Sequence, residues 1–444
     1  MAAGLGTRMR SKTCKVLHQA AGRPLISHVL DVCAAVDAHP VVVLSRESEP
    51  ARAVLPADAT VAIQEPPRGT GDAVRVALGA TDAREGLAYV VYGDTPVLRA
   101  ETLAAMRDLL RERGAVMTLL TAKVGTDNAY GRIVRDERGD VRRIVEVRNA
   151  TAEEKALPES NLGAYAMDLA WLRSAAGKLR ANQTGEVYLT DLAEIAIADG
   201  KRVAAFCSDD PAEGMGVNTR RDLAQVDQAL RRRVRDRLMD DGVTFLDPDS
   251  TSVDATVRIA ADAVIARGCV LEGATSIGTG SLVGPYSIVR DSTIGEGCRV
   301  EMSVIEGATL EDEVRIGPFS HLRPGAYLER GVEMGNFGEV KNARLRKRTK
   351  MHHFSYIGDA DVGERVNIGA GTITLNYDGV SKHRTEIGDD AFIGSDSLLR
   401  APVKIGKGAS TGAGAVVTKD VPDGMLAVGM PARSIKRVER KAKS

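Results

Sequence analysis

Two groups of residues in this sequence have the types and spacing for chemistry. The first opens the chain as Ala2-Ala3-Gly4-Leu5-Gly6-Thr7-Arg8-Met9, followed by Lys12 and Lys15. A glycine-rich turn lets backbone N–H groups approach phosphate closely, and Arg8 and Lys15 can neutralise its charge. The Gly-Lys-Ser/Thr ending of a Walker loop is missing. Downstream, Gly69-Thr70-Gly71-Asp72-Ala73 reads as a turn entering a helix, and Tyr92-Gly93-Asp94-Thr95-Pro96 sets a carboxylate after an apolar run. At the C-terminal end of a buried strand, Asp94 could hold Mg²⁺ against phosphate oxygens. The competing reading of Asp94 is an ordinary turn cap.

The second group lies in the C-terminal half. It comprises Leu322-Arg323-Pro324-Gly325-Ala326, Asn336 to Lys341, His352-His353-Phe354-Ser355-Tyr356-Ile357-Gly358-Asp359, Asn367 to Thr372, and Asn376-Tyr377. Few polar residues of this kind occur elsewhere in that half. An imidazole titrates near ~6.5 and can take a proton at neutral pH. The residue types alone leave open which histidine would do so, and whether either merely caps a turn.

Three segments must position these residues. Up to about residue 220, short β-rich runs alternate with helical stretches. Pro40-Val41-Val42-Val43-Leu44, Leu87 to Tyr92 and Ala115 to Leu120 are strand-like, and Ala100 to Arg113 has helical spacing. That rhythm predicts a mostly parallel sheet with helices on its faces. Residues 221–241 form a charged helix with Leu223, Val226, Leu230, Val234 and Leu238 on one stripe. Its arginines are interrupted by Asp222, Asp227 and Asp236, so it reads as a solvated spacer ended by Gly242 rather than a nucleic-acid element.

Beyond residue 242 an aliphatic residue recurs every six positions: Ile259, Ile265, Leu271, Ile277, Val283, Val289, and again Ile387, Ile393, Leu399, Ile405, Thr411, Val417, with Thr411 the weak member. Six residues per side and three sides per coil stack these residues into an inward ladder, so a parallel β-helix of hexapeptide repeats is predicted. The period breaks between Ile373 and Ile387, where Thr374 to Glu386 must leave the coil as a loop, a favoured place for binding groups.

Composition narrows the function classes. Lys+Arg and Asp+Glu both number 60, which argues against a general polyanion binder. Gly reaches 45 residues while aromatic content is 4%, as expected of repeated tight turns. The five cysteines, Cys14, Cys33, Cys207, Cys269 and Cys298, lack metal-ligand spacing and are expected to be reduced. No apolar run approaches a membrane span and no basic-then-apolar leader is present, so a cytoplasmic protein is expected.

Ala-Ala-Gly-x-Gly-Thr-Arg-Met followed by Lys15-Val16-Leu17 resembles the signature of sugar-1-phosphate nucleotidyltransferases. With the hexapeptide repeat behind it, essentially the whole chain resembles the bifunctional N-acetylglucosamine-1-phosphate uridyltransferase/glucosamine-1-phosphate acetyltransferase family. The resemblance implies a Rossmann-like α/β nucleotidyltransferase domain (1–220), a helical linker (221–241) and a left-handed parallel β-helix acetyltransferase domain (242–444). It also implies two reactions on the way to UDP-N-acetylglucosamine, a precursor of peptidoglycan and the cell wall. Glucosamine-1-phosphate is acetylated with acetyl-CoA, and UMP then passes from UTP to the product with loss of pyrophosphate. An active acetyltransferase half alone, or a nucleotidyltransferase with a purely structural β-helix, are the alternatives.

Carried over by position, the resemblance assigns Ala2, Ala3, Gly4, Gln64, Gly69 and Thr70 to the uridine and Arg8 and Lys15 to the phosphates. Tyr92, Gly93 and Asp94 join this site, with Asp94 and Asn218 holding Mg²⁺. Gly131, Glu146 and Asn161 would hold N-acetylglucosamine. In the other half it places the base at His353, tuned by Glu339. Arg323 and Lys341 would take the sugar phosphate, and Tyr356 and Asn367 the sugar. Ala370, Asn376, Tyr377, Lys382, Ser395 and Ala413 would form the acetyl-CoA groove, with the Tyr377 N–H as oxyanion donor. A homotrimer with sites between subunits is implied as well.

Three departures from the family stand out. Cys14 replaces a usual Pro before Lys15. The ending Val428-Gly429-Met430-Pro431-Ala432-Arg433 is that of general hexapeptide acyltransferases. An aliphatic strand precedes the glycine-rich turn in the family, whereas Met1 opens directly on it, so an upstream start is expected. Without that strand, a gap should separate its two neighbours.

Overall fold

The computed structural model describes residues 1–126 and 128–437. The chain resolves into two compact units, Met1–Leu230 and Arg231 onward.

The first unit begins with the glycine-rich turn and a short hairpin of β1 (Gln19–Ala20) and β2 (Arg23–Pro24), then α1 (Leu25–Ala35). Next come β3 (Val41–Leu44), β4 (Thr60–Ile63), α2 (Thr70–Gly79), β5 (Leu87–Val90), α3 (Ala100–Glu112) and β6 (Met117–Lys123). The hairpin of β7 (Arg132–Arg135) and β8 (Val141–Val145), the single turn α4 (Ala152–Lys155), β9 (Glu159–Asp168), α5 (Leu169–Ala176), α6 (Leu192–Ala198) and β10 (Val203–Cys207) follow. β3 and β4 pair in parallel, and so do β6 and β10. The ten-residue β9 runs antiparallel between β5 and β6, so the sheet is mixed where alternation alone suggested a mostly parallel one. Apolar residues such as Met117, Leu119, Tyr165 and Met167 are fully buried across this pairing.

β3 and β5 belong to separate sheets. Between them lies a cavity of about 570 Å³, lined by Val41, Val43, Leu87, Tyr89, Val91, Leu30 and Leu172 among others. Its end is closed by the start of the chain. The Met1 nitrogen donates to Val91 O at 2.7 Å, Gly93 N–H to Met1 O at 2.9 Å, and Ala2 N–H to Val43 O at 2.8 Å. These bonds hold the glycine-rich turn across the C-terminal ends of both strands, beside Asp94.

α7 (Arg220–Asp240) is shared by the two units instead of forming a separate spacer. Four of its five stripe residues, Val226, Leu230, Val234 and Leu238, are buried, with Val226 at 0% and Leu238 at 4% exposure, which a solvated helix would not show. Asp227 accepts from Ala21 N–H within the first unit, and Arg231 pairs with Asp254 at 2.8 Å within the second. Gly242, at φ 94°, ends the helix, and Val243 N–H returns to Leu238 O at 2.9 Å.

The second unit is a three-faced parallel β-helix. Face one runs through Val264–Ile265, Leu282–Val283, Lys350–Met351, Asn367–Ile368, Phe392–Ile393 and Ser410–Thr411. Face two includes His321–Leu322, Gly338–Lys341, Ser355–Gly358, Ile373–Leu375 and Leu398–Arg400, and face three includes Ile259, Ile277, Ile387 and Ile405. Every ladder residue expected from the period is buried, at 8% exposure or less. Each buried aliphatic side chain contributes about 1.5–3 kcal/mol relative to exposure, and stacking supplies what no single coil could. Thr411 is buried too. Its Oγ1 accepts from Gly394 N–H at 2.9 Å and meets Ser397 Oγ at 2.7 Å, which explains a hydroxyl in an aliphatic column.

Candidate functional site

In the first unit a cavity of about 270 Å³ brings together Ala2, Ala3, Gly4, Lys15, Gln64, Gly69, Thr70, Tyr92 and Asp94. Gln64, at the end of β4, is 2% exposed; its amide donates to Gly69 O at 3.0 Å and to Asp72 at 2.8 Å. Thr70 Oγ1 caps Leu189 N–H at 3.0 Å. Lys15 forms an ion pair with Asp94, and its ammonium lies 3.4 Å from Asn218 Oδ1, to which Arg8 also donates at 2.9 Å. Val217 N–H donates to Asp94 O, drawing Asn218 to the strand end. Two oxygen donors thus converge on one cation. One carboxylate plus one amide oxygen suits a divalent cation that takes its other ligands from phosphate and water.

Gly131, Glu146 and Asn161 are also brought together. Asn161 N–H donates to Gly131 O at 2.8 Å, and Glu146 takes the Thr190 hydroxyl at 3.3 Å. Asn161 Nδ2 donates to the Tyr165 hydroxyl at 2.8 Å. Burial pushes the Tyr165 phenol up to about 12 and that of Tyr92 well above its ordinary value, with Glu146 adding to both. Both phenols are neutral hydrogen-bonding groups at physiological pH. Tyr92 packs against Gly163, so one side chain touches both the cavity beside Asp94 and the β9 segment that carries Asn161.

In the second unit the register places its residues in columns. Lys350 pairs with Asn367, Ile368 with Ile393 and Phe392 with Ser410. His353, Ala370, Ser395 and Ala413 each lie two residues after the inward residue of their coil, and so share one corner between faces one and two. Asp396 N–H donates to Ala370 O at 2.6 Å and Gly414 N–H to Ser395 O at 2.8 Å, tying these corners coil to coil. The residues next in the corner change character along the stack. Phe319, Phe337 and Phe354 are exposed apolar rings, the first two stacked at 5.4 Å; above them stand Gly371 and Gly414, at φ 72° and 70°. The loss of bulk leaves an open cavity of about 490 Å³ lined by Phe337, Glu339, Phe354, Tyr356, Gly371 and Asp396.

Glu339 and Tyr356 are registered on face two, as are Lys341 and Gly358. Arg323 donates to Glu339 at 2.8 Å. Asn376, at the base of the inserted loop, donates to Asp359 and lies 3.4 Å from the Tyr356 hydroxyl. Tyr377 and Lys382 bridge across that loop. The nearby Lys382 ammonium, then burial, hold Lys341 below its ordinary pKa. His353 is exposed and has no hydrogen-bond partner among the described residues, whereas His352 is taken by Glu333 at 2.9 Å. Asn367 stands apart from the face-two cluster: it points out from face one, between Lys350 and Phe392.

Residues 1–164 match the MobA-like NTP transferase domain family, and residues 384–419 match the bacterial transferase hexapeptide family of six repeats. The bifunctional protein GlmU of Halalkalibacterium halodurans is 43% identical over 430 residues, covering 96% of this chain and 94% of its own. That of Trichlorobacter lovleyi is 45% identical over 433 residues with the same coverage, and that of Alkalilimnicola ehrlichii 45% over 438 residues, covering 98% and 94%. The chain belongs to the GlmU family. It is therefore a bifunctional enzyme, with a nucleotidyltransferase unit and an acetyltransferase unit in the left-handed parallel β-helix of hexapeptide proteins. As a GlmU it acts on nucleotide and acetyl-CoA substrates. Among the described residues no helix is long and apolar enough to cross a membrane. The five cysteines are free.

Proposed function

We propose that the β-helix unit moves the acetyl group of acetyl-CoA onto the amine of glucosamine-1-phosphate. The first unit then moves UMP from UTP to the resulting N-acetylglucosamine-1-phosphate, giving UDP-N-acetylglucosamine and pyrophosphate. One observation carries the acetyl-transfer reading: His353 stands one, two and three coils below Ala370, Ser395 and Ala413, on the corner column beside the Arg323, Glu339 and Lys341 cluster.

An ammonium cannot attack a thioester. His353 takes the proton, the freed nitrogen lone pair bonds the carbonyl carbon, and the C–S bond breaks as the CoA sulfur leaves and recovers the proton. Arg323 and Lys341 neutralise the sugar phosphate, and Tyr356 holds the ring. Glu339, fixed by Arg323, orients the imidazole or the amine. The Tyr377 N–H is the proposed donor to the developing oxyanion. Asn376, Tyr377 and Lys382 wall the acetyl-CoA groove with the small corner residues. A purely structural β-helix would have no use for this polar cluster.

In the first unit the glycine-rich turn, Gln64, Gly69 and Thr70 hold the nucleotide, and Gly131, Glu146 and Asn161 the sugar. Arg8 and Lys15 stabilise charge on the phosphates during in-line displacement. Asp94 and Asn218 would hold Mg²⁺, which would supply further charge neutralisation for the phosphates. The exposed ladder of Phe319, Phe337 and Phe354 supports a homotrimer, because apolar rings stacked at one corner are covered when copies pack corner to corner. Asn367, on face one, would then serve the site across that corner. We place the enzyme in the cytoplasm with its nucleotide and thioester substrates.

A coupled assay on the full-length protein tests the reading. Acetyl-CoA with glucosamine-1-phosphate should release CoA thiol, and UTP with the acetylated product should release pyrophosphate. Absence of thiol release would refute the acetyltransferase reading, and absence of pyrophosphate release the uridylyltransferase one.

A further inference from the structure

The inserted loop is stitched to itself. His383 N–H donates to Asn376 O at 2.8 Å, Tyr377 bridges Lys382, and Asp378 takes the Val380 and Ser381 N–H groups at 2.8 Å each. What aims it at the coil beneath is Asp359, the last residue of the His352–Asp359 run, to which the family resemblance assigns no role. Asp359 follows the strand bearing Tyr356 and is 9% exposed in a left-handed turn at φ 47°. Its N–H donates to Lys341 O at 3.0 Å, and its carbonyl accepts Thr385 N–H at 3.1 Å. One carboxylate oxygen takes Asn342 Nδ2 at 2.5 Å and the other takes Asn376 Nδ2. A single residue therefore joins the coil bearing Lys341 to both ends of the insertion, its carboxylate to Asn342 and the Asn376 end and its backbone carbonyl to the Thr385 end.

Charge adds a second reason. Lys382 stands close enough to Lys341 to disfavour its charge, with Arg323 adding to the repulsion, and Asp359 is the carboxylate that offsets it at Lys341. Burial opposes ionisation of Asp359, but the two amide donors and the two ammonium groups outweigh it and hold its pKa below the ordinary value. Loss of that charge would both free Asn376 and push the Lys382 loop away from Lys341.

We infer that Asp359 is a positioning residue for acetyl transfer, setting Asn376 and the inserted loop over the acetyl-CoA groove while leaving the sugar-phosphate cations in place. The inference rests on the acetyltransferase reading above. Asparagine tolerates left-handed backbone, so Asp359→Asn keeps the turn and removes the charge, setting an amide N–H₂ against one of the two asparagine donors. With the full-length protein, the KM for acetyl-CoA should rise about tenfold or more, the range for losing a charged hydrogen bond. The KM for glucosamine-1-phosphate should not rise, and UTP-dependent pyrophosphate release should be unchanged. Combining Asp359→Asn with Asn376→Asp restores an amide–carboxylate pair in reverse and should recover part of the acetyl-CoA KM. Should Asp359→Asn fail to fold, Asn376→Ala carries the same split between the two KM values. Unchanged KM values, or both rising together with a falling melting temperature, would overturn the positioning role. A wild-type protein without thiol release would instead overturn the acetyltransferase reading and this inference with it.

Discussion

Replacing Glu339 by glutamine separates structural from chemical roles at the corner cavity. The change keeps the side chain's size and an oxygen for Arg323 and removes only the charge. The Arg323–Glu339 pair spans 2.8 Å, and its side chains are 39% and 37% exposed. Solvent screens a pair this open, so its loss costs little stability. So small an effect changes a rate no more than about fivefold. A carboxylate that orients a proton-accepting imidazole or the reacting amine supports a step in which such proton transfer contributes about 10²–10⁴-fold. Glu339→Gln should therefore lower kcat for acetyl transfer at least a hundredfold while moving the melting temperature by less than about 3 °C. Thiol release with saturating acetyl-CoA and glucosamine-1-phosphate measures the first, and calorimetry the second. Pyrophosphate release from the same preparation is the internal control. A rate loss within fivefold would show that Glu339 only balances Arg323. A rate loss matched by a large fall in melting temperature would show that the pair is structural.

Other substitutions divide the two activities. His353 is exposed and without a hydrogen-bond partner among the described residues, so His353→Ala should leave stability unchanged and cut acetyl transfer about 10²–10⁴-fold, with pyrophosphate release intact; full retention of thiol release would remove it as the base. Asp94→Ala takes away the carboxylate that meets Lys15 at the strand end, and Mg²⁺-dependent pyrophosphate release should fall more than about a hundredfold while thiol release persists. Normal metal-dependent turnover would contradict the assignment. A Cβ at Gly371, at φ 72°, would collide with Asp396 Oδ1, so Gly371→Ala should strain the corner, lower the melting temperature and raise the KM for acetyl-CoA. A wild-type KM would show that the groove does not pass this corner.

What the sequence makes legible follows from what physics demands at each position. A triangular coil needs one apolar residue inward per side, so a period of six survives in Ile259 to Val289 and in Ile387 to Val417. Between these runs several sides are one residue shorter, as from Val289 to Ile294 and from Val300 to Ile305 to Leu310, all buried. A strict count loses the register there although the ladder continues. Strand direction has no signature in periodicity at all, which is why β9 could not be recognised as antiparallel. The arginines of α7 suggested a solvated helix because charge was weighed by residue. Arg235 is 9% exposed and donates to Thr251 O at 3.2 Å, so an aliphatic stem is buried while the head finds a carbonyl.

The same distinction separates the site residues that motifs reveal from those they miss. Ala2, Gly4, Lys15, Gln64, Gly69 and Asp94 carry chemistry in their own types, and one cavity unites them. Asp359 and Asn342 matter only because coils 17 residues apart are stacked; nothing in either residue's neighbours announces the partner. Asn367 is the instructive middle case. It precedes the inward Ile368 on face one, whereas Tyr356 precedes the inward Ile357 on face two. Counting sides through the repeat would have separated the two. In a β-helix the face of a residue is arithmetic, and its chemistry depends on which column of neighbours that arithmetic selects.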